Sequence, residues 1–226
     1  MKKIIKRIAF IHMLIVLLLT ISYNASAATI RSKALKAYRN FLAKNESHYS
    51  VQQGNWYGRN TENYKKCWWF LLADMNNDNI PELITFHPYG YKQGGIYIYA
   101  YKNGKVKRLP LVKNDAKTTI PGSKYEIFAS TYTSASSWQG LTGYCCNKKH
   151  FHLHLMTGAG YIDQTYKVVN GKVRVIAEYE LAMGKDRCWL NRKKVSILKY
   201  NSFMKKCKEI AAFVDNNSNN RKVYVK

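Results

Sequence analysis

The chain has 226 residues, of which 37 are Lys or Arg and 13 are Asp or Glu, so its formal net charge is +24 at pH 7. This length is ample for a hydrophobic core, and it excludes more than two small domains, with one domain suiting it best. The charge favours an anionic neighbourhood such as a cell-wall polymer, an acidic glycan, a phospholipid surface or nucleic acid. The alternative is a basic, solvated surface without a specific partner, because the cations are scattered and form no block of five.

The first 27 residues have the pattern of a secretory signal peptide. A basic start precedes an apolar stretch over residues 8–21, and Ala25-Ser26-Ala27 is an A-x-A cleavage site. An uncleaved membrane anchor would need about 20 apolar residues, whereas this run has about 14. The sequence therefore predicts a signal peptide over 1–27 and a secreted or cell-surface-associated (extracellular) chain without a stable membrane span. Export makes nucleic acid the weakest candidate partner.

An amphipathic helix is predicted over residues 31–49, where apolar side chains recur at helical spacing between Lys and Arg residues. The polar stretch 45–58 ends it. From Cys67 to about Leu190 the chain consists of short Tyr-, Ile-, Val-, Phe- and Thr-rich runs separated by Gly and Asn, which predicts strands. The apolar positions of the helix are Ala34, Leu35, Tyr38, Phe41 and Leu42.

Residues 74–82 read Asp-Met-Asn-Asn-Asp-Asn-Ile-Pro-Glu, with oxygen-bearing side chains at alternate positions. Three carboxylates in nine residues repel one another without a cation, and no Lys or Arg lies between Lys66 and Tyr91. Oxygen donors in such number suit Ca²⁺. The sequence predicts a calcium loop whose ligands are the side chains of Asp74, Asn76, Asp78 and Glu82 and the carbonyl of Ile80.

This loop is not a full EF-hand. An EF-hand has Gly at its sixth position and Glu at its twelfth, where this chain has Asn79 and Thr85. Asn79 can still adopt the left-handed conformation that a sharp turn needs. Pro81 and the flanking apolar runs predict strand, loop, strand, and an ordinary Asx-rich turn between two strands is the alternative.

Two β-hairpins are predicted from Asn-Gly pairs. Asn103-Gly104 and Asn170-Gly171 each separate two strand-like runs, and Asn-Gly supplies the two positive φ angles of a type I′ turn. Near the carboxyl end, Ser196 is the expected N-cap of an amphipathic helix that continues to Val214, and residues 216–226 are expected to be a flexible tail. The predicted fold is mainly β (α+β): one domain, 28–215, with an antiparallel meandering sheet, curled or doubled, and a helix from each end packed on it.

The acidic loop, the Trp68-to-Ala73 run before it and the Gly95-to-Tyr99 run after it resemble a group of exported proteins of Gram-positive gut and soil bacteria. The loop itself is similar to that of FG-GAP/VCBS-type calcium-binding β repeats, in which Gly stands where this chain has Asn79. The resemblance covers most of the chain after residue 27, although only the loop is specific. It implies a structural calcium site in an exported, non-catalytic protein, and it supplies no substrate.

His150, His152 and His154 alternate with apolar residues, so they are expected on one face of a strand. Two of them could share a zinc ion if a neighbouring element supplied a third ligand. The favoured interpretation is an exposed polar face opposite Phe151, Leu153 and Leu155.

Five cysteines follow the predicted signal peptide: Cys67, Cys145, Cys146, Cys188 and Cys207. Export permits disulfides, but the odd number leaves at least one thiol, and the sequence assigns no pairing. A nucleophile built from Cys145 or Cys146 and a histidine of the 150–154 run is conceivable, since pairing lowers a thiol pKa, but no orienting group is evident.

Outside the loop, few carboxylates are available for a glycosidase-type pair, namely Asp163, Glu178 and Glu180. The tyrosine stripe that includes Tyr97, Tyr99 and Tyr101 could stack on sugars, as could Trp138, but such stripes are more often sheet core. The function predicted from sequence is a calcium-stabilised, non-catalytic binding or structural protein outside the cell, associated with anionic wall polymers. The alternative is a secreted hydrolase that uses the cysteines with the histidine strand, or a carboxylate pair.

Overall fold

The computed structural model describes residues 11–13, 28–46, 67, 69–90, 93–112, 127–130, 141–146, 149–157, 160–207 and 209–226. Within these ranges the protein is mainly β, with antiparallel sheets and short helices, as the sequence predicts. Most of the predicted signal peptide and of the polar stretch 45–58 lies outside the described residues. No helix in the described ranges combines the length and the apolar composition that crossing a membrane requires.

The strands form two sheets. The first sheet has the order β13-β1-β2-β3-β4, with β5 also paired to β3, where β1 is Trp69–Ala73, β2 Glu82–Gly90, β3 Gln93–Lys102, β4 Lys105–Arg108, β5 Ile127–Ser130 and β13 Val214–Asp215. The second sheet has the order β11-β10-β9-β8-β7-β6-β12, where β6 is Leu141–Cys146, β7 His150–Thr157, β8 Gly160–Val169, β9 Lys172–Ala182, β10 Lys185–Leu190, β11 Lys193–Val195 and β12 Glu209–Ala212.

The inner faces of the two sheets share one hydrophobic core. Side chains alternate along each strand, so every second residue of the central strands points into this core. Burying a large apolar side chain stabilises the folded state by roughly 1.5–3 kcal/mol, which makes this interface the main source of stability. Its members on the central strands include Leu71, Ile84, Phe86, Ile96 and Ile98 from the first sheet and Phe151, Leu153, Tyr166, Val168 and Val173 from the second.

Helix α1, residues 28–44, covers the outer face of the first sheet. Its apolar stripe is buried there, and Phe41 contacts Tyr99 with ring centroids 4.8 Å apart. Tyr97 and Tyr101 pack into the same cluster, so the tyrosine stripe belongs to the core beneath α1. The residues around Trp138 lie outside the described part of the chain.

Four tight turns connect strands through pairs of residues with positive φ. Both predicted Asn-Gly hairpins are present, with φ of +51° and +77° at Asn103-Gly104 and +50° and +69° at Asn170-Gly171. The turns between β9 and β10 and between β10 and β11 use Met183-Gly184 and Asn191-Arg192 in the same way. Met and Arg tolerate this conformation less readily than Gly or Asn, which is why the sequence does not reveal these two turns.

The C-terminal region differs from the predicted helix over 196–214. Helix α2 spans Ile197–Met204 only, capped by the Ser196 side chain, which accepts a hydrogen bond from the Lys199 N–H at 3.3 Å. The chain then forms β12 against β6 and β13 against β1. Cross-strand pairing with distant residues overrides the local helical spacing at Ile210, Ala211 and Val214. Helix α2 packs on the outer face of the second sheet at Ala177, Tyr179 and Cys188.

Residues 216–226, expected to be a flexible tail, instead contain helix α3, Ser218–Tyr224, and are anchored to the domain. Arg221 is 7 % exposed and pairs with Glu46 at 2.6 Å. Val225 is fully buried in the cluster beneath α1. The polar composition of this segment hides its role, because polar side chains rather than apolar ones make most of its contacts.

Asn216 gives a direct test of this anchoring. It is buried, and its Nδ2 donates to the carbonyls of Leu42 (3.0 Å) and Cys67 (3.1 Å), which joins the end of α1 to the start of the first sheet. We expect Asn216→Ala to lower the free energy of unfolding by about 2 kcal/mol, because two buried hydrogen bonds are lost. Urea denaturation of the exposed control Asn219→Ala should show a change within about 0.5 kcal/mol. Equal values for the two variants would show that the segment is not anchored.

Candidate functional site

The loop between β1 and β2 folds around the carboxylate of Asp74. Asp74 Oδ1 accepts a hydrogen bond from the Asp78 N–H at 3.1 Å, and Oδ2 accepts one from the Asn79 N–H at 3.0 Å. Asn77 and Asn79 have φ of +63° and +67°. Asn tolerates this left-handed region better than most residues, so the loop can turn sharply at Asn79 without the Gly that an EF-hand uses.

Asn76 and Asp78 also turn toward the loop backbone. Asn76 Oδ1 accepts from the Asp78 N–H at 3.0 Å, and its amide nitrogen donates to Asp78 Oδ2 at 2.8 Å. Asp78 Oδ1 accepts from the Ile80 N–H at 2.8 Å. The three side chains therefore direct oxygens into the loop rather than away from it.

Glu82, the first residue of β2, is the buried member of the predicted ligand set. It is 1 % exposed, and its Oε2 accepts a hydrogen bond from the Met75 N–H at 2.7 Å. Burial raises the pKa of Glu82 to about 8, and the charges of Asp78 and Asp74 act in the same direction, against the hydrogen bond from Met75. An ionised Glu82 is therefore poorly compensated in the protein alone.

Helix α1 contributes two side chains that sequence reasoning did not connect with the loop. Arg31 donates to the carbonyl oxygen of Asn79 at 2.8 Å. Tyr38 is fully buried in the cluster beneath α1. Burial, followed by the Glu82 carboxylate, raises the pKa of Tyr38 far above its usual value. Both residues are separated from the loop by more than 30 positions in the chain, so local spacing gives no signal for them.

The loop also contacts the second sheet. Met75 is 1 % exposed and belongs to the core between the sheets, and its carbonyl accepts a hydrogen bond from the Val168 N–H at 3.2 Å. Through Arg31, Glu82 and Met75 the loop therefore meets helix α1, the first sheet and the second sheet. A change in the loop affects three layers at once.

The donor chemistry of the loop fits a hard cation, because its candidate ligands are all oxygens. In the described ranges, however, no three His, Cys, Asp or Glu side chains come close enough together to enclose a metal ion. The oxygens of Asp74 and Asp78 are occupied by the loop's own N–H groups. Binding a cation would require these side chains to rotate from N–H groups toward the ion.

The histidine run occupies β7 as the alternation predicts, with Phe151 and Leu153 in the inter-sheet core and His152 and His154 on the outer face. The expectation of an exposed polar face holds only in part, because His152 is 3 % exposed, whereas the His154 side chain is 32 % exposed. His152 Nδ1 lies 2.9 Å from the Thr165 hydroxyl. His154 Nδ1 lies 2.5 Å from Asp163 Oδ1, which is also 3.9 Å from His152 Nε2.

The remaining candidates from the sequence are the cysteines and the carboxylates of Asp163, Glu178 and Glu180. Cys67 and Cys188 are buried free thiols, and Cys207 is in a disulfide bond. The side chains of Cys145 and Cys146 lie outside the described part, so the cysteine–histidine pairing is not addressed by the structure. Glu178 and Glu180 lie opposite Gln164 and Ile162 in the β8–β9 register, on the other face of the sheet from Asp163. These three carboxylates therefore do not line one cleft.

Comparisons of the chain with protein-family models, with curated proteins and with solved structures give no match.

Burial of His152 predicts a pH dependence of stability. Desolvation lowers the pKa of His152 from 6.5 to about 4, outweighing the attraction of Asp163. As the pH falls from about 6.5 to 4, the unfolded chain therefore takes up a proton at this residue and the folded chain does not, so stability falls by at most about 1.4 kcal/mol per pH unit.

Replacement His152→Gln removes this contribution. Denaturation of both proteins across this pH range should show the free-energy difference, wild type minus variant, decreasing as the pH is lowered. A difference that is constant with pH would contradict the burial of an uncharged His152.

Proposed function

We propose that this is an exported binding or structural protein of the cell surface or extracellular space, whose fold is stabilised by Ca²⁺ held in the loop Asp74–Glu82. The proposed ligands are the side-chain oxygens of Asp74, Asn76, Asp78 and Glu82 and the carbonyl oxygen of Ile80. When bound, the ion would supply positive charge to the loop. No redox or acid–base chemistry is assigned to it.

The observation that carries this proposal is the absence of a compensating cation in the described part of the chain. No described Lys or Arg forms an ion pair with Asp74, Asp78 or Glu82, although the chain has 37 such residues and 13 acids. Arg31, which reaches the loop, donates to the Asn79 carbonyl rather than to a carboxylate. Among the described residues, the three carboxylates, one of them buried, therefore have hydrogen bonds from backbone N–H groups and the Asn76 amide but no cation, and a divalent ion would offset their repulsion.

The position of the loop explains why such an ion would stabilise the whole domain. Asp74 follows β1 and Glu82 begins β2, while Met75 is packed between the sheets and Arg31 links the loop to α1. Holding the loop in one conformation holds these elements together. The stabilisation would follow mass action, because Ca²⁺ would bind the folded loop and not the unfolded chain.

The positive charge of one exposed segment supports a binding role at the cell surface. Between Lys185 and Lys206 the exposed side chains include eight cations, whereas Asp186 is the acid of this segment, and its carboxylate accepts a hydrogen bond from Tyr179. Such a surface is attracted to anionic wall polymers or acidic glycans. The cations are Lys185, Arg187, Arg192, Lys193, Lys194, Lys199, Lys205 and Lys206.

Calcium titration tests the first part of the proposal. We expect about 10 mM Ca²⁺ to raise the melting temperature above its value in chelator by about 5–10 °C, since a ligand at 100 times its Kd stabilises by about 2.7 kcal/mol. Asp78→Asn should lose more than half of this increase, because it removes one ligand charge. The measurement is thermal melting by circular dichroism.

The matched control is Asp215→Asn. Asp215 is exposed and lies on β13, and its Oδ1 accepts a hydrogen bond from Trp69, which an amide oxygen can also accept. This variant should keep the full calcium response. Equal melting temperatures in Ca²⁺ and chelator, or the same response in both variants, would exclude calcium at this loop.

Export and surface association are tested by fractionation of the producing cells. We expect the protein outside the membrane with Ala28 as its N-terminal residue, and we expect about 1 M salt to release it from the wall, because exposed charges are then screened within about 3 Å. Recovery from the cytosol with Met1 intact would contradict export. Retention on the wall in high salt would contradict an electrostatic partner.

A further inference from the structure

The outer face of the second sheet carries a histidine–carboxylate pair remote from the calcium loop. His154 and Asp163 are directly opposite each other on β7 and β8, with Nδ1 and Oδ1 2.5 Å apart. A carboxylate only accepts hydrogen bonds, so the proton between them belongs to Nδ1 of the imidazole. The lone pair of the neutral ring is then on Nε2.

A second imidazole lies near the Asp163 carboxylate. His152 Nε2 lies 3.9 Å from the same carboxylate oxygen, and the Thr165 hydroxyl fixes the His152 ring through Nδ1 at 2.9 Å. The Asp163 side chain is 17 % exposed. The carboxylate is therefore largely removed from water, and its hydrogen-bond partner is the His154 imidazole, although the chain has many more lysines and arginines than acids.

The His154 side chain is more exposed than that of Asp163. Its side chain is 32 % exposed, and among the described residues its polar contact is with Asp163 alone. The ring packs beside Tyr161, with centroids 5.1 Å apart, and the Tyr161 hydroxyl donates to that of Tyr179. Tyr179 donates in turn to Asp186 at 2.5 Å. A solvent-facing imidazole thus borders an ordered aromatic wall that a small acyl or aromatic group could contact.

We propose that His154, oriented by Asp163, is a general base for the hydrolysis of carboxylic esters. Nε2 takes a proton from water while the water oxygen bonds to the acyl carbon, and the carbonyl π electrons move onto the carbonyl oxygen. When the tetrahedral intermediate collapses, the bond to the ester oxygen breaks, and that oxygen takes the proton from Nε2. The products are a carboxylic acid and an alcohol, and the imidazole returns to its starting state.

In this mechanism His154 is the catalytic residue and Asp163 is a positioning residue. Asp163 keeps the proton on Nδ1 and stabilises the imidazolium while it exists, as carboxylates do in His–Asp pairs of hydrolases. No cysteine is needed, which separates this site from a cysteine–histidine nucleophile. The site also does not involve the loop 74–82, so it is independent of the proposed calcium binding.

The test uses p-nitrophenyl acetate as the probe and the full mature chain in chelator, with release of p-nitrophenolate as the signal. We expect His154→Ala to lower kcat/KM at least tenfold, since general base catalysis contributes about 10²–10⁴-fold in enzymes. His150→Ala is the matched control, because it removes a histidine from the same strand, and it should retain the activity within twofold. Both variants should melt within a few degrees of the wild type.

Two further measurements separate catalysis from structure. Free imidazole should restore turnover to His154→Ala beyond its effect on wild type, because it can occupy the space of the missing ring. Asp163→Asn should lower kcat while leaving KM within twofold, since the ester does not contact this residue. Two results would overturn the proposal. One is equal activity in His154→Ala and His150→Ala, and the other is a raised KM with an unchanged kcat in Asp163→Asn. A calcium-independent melting temperature would leave it standing, because that result bears on the loop alone.

Discussion

The alternation of side chains along the strands is the constraint on which the rest of this structure depends. Because the two sheets share one core, the inward positions of the central strands are mostly apolar, apart from the buried, hydrogen-bonded pair Gln164 and Glu178, and the outward positions become available for other roles. On β7 this rule buries Phe151 and Leu153 and turns His152 and His154 outward. A one-residue slip in register would exchange the two sets, so core packing fixes the histidine face as firmly as it fixes the core.

In the loop 74–82, by contrast, packing buries polar groups rather than apolar ones. Met75 is buried in the core between the sheets, and its N–H donates to the side chain of Glu82, which is buried with it. Burial of that carboxylate follows from burial of its neighbour. Burial of the Glu82 carboxylate has an electrostatic cost that arises from the fold itself, and Ca²⁺ is the proposed means of offsetting it.

Sequence reasoning succeeded where structure is set by nearby residues. Asn-Gly pairs specify their hairpins, and Ser196 specifies the start of α2, because both act within four positions. It failed where contacts with distant residues determine the secondary structure. The chain after Met204, for example, pairs with β6 and β1 instead of continuing as a helix. The pairing of His154 with Asp163 is an intermediate case. The Gly residues at 158 and 160 favour a turn, and an antiparallel register that starts at this turn places His154 opposite Asp163.

Each of the two candidate sites contains a carboxylate that is largely shielded from water. The groups that surround the negative charge differ between the sites, and this difference predicts different chemistry. Glu82 has one N–H donor from Met75 and two like-charged neighbours, so the net interaction is unfavourable and a cation would be attracted. Asp163 already has the His154 imidazole as a hydrogen-bond partner, and His152 Nε2 lies 3.9 Å from the same oxygen. The effect of Asp163 is instead to fix the proton of His154 on one nitrogen and leave the other as a base. The same chemical group, a carboxylate, would thus bind an ion in the loop between β1 and β2 and support proton transfer on the outer face of the second sheet.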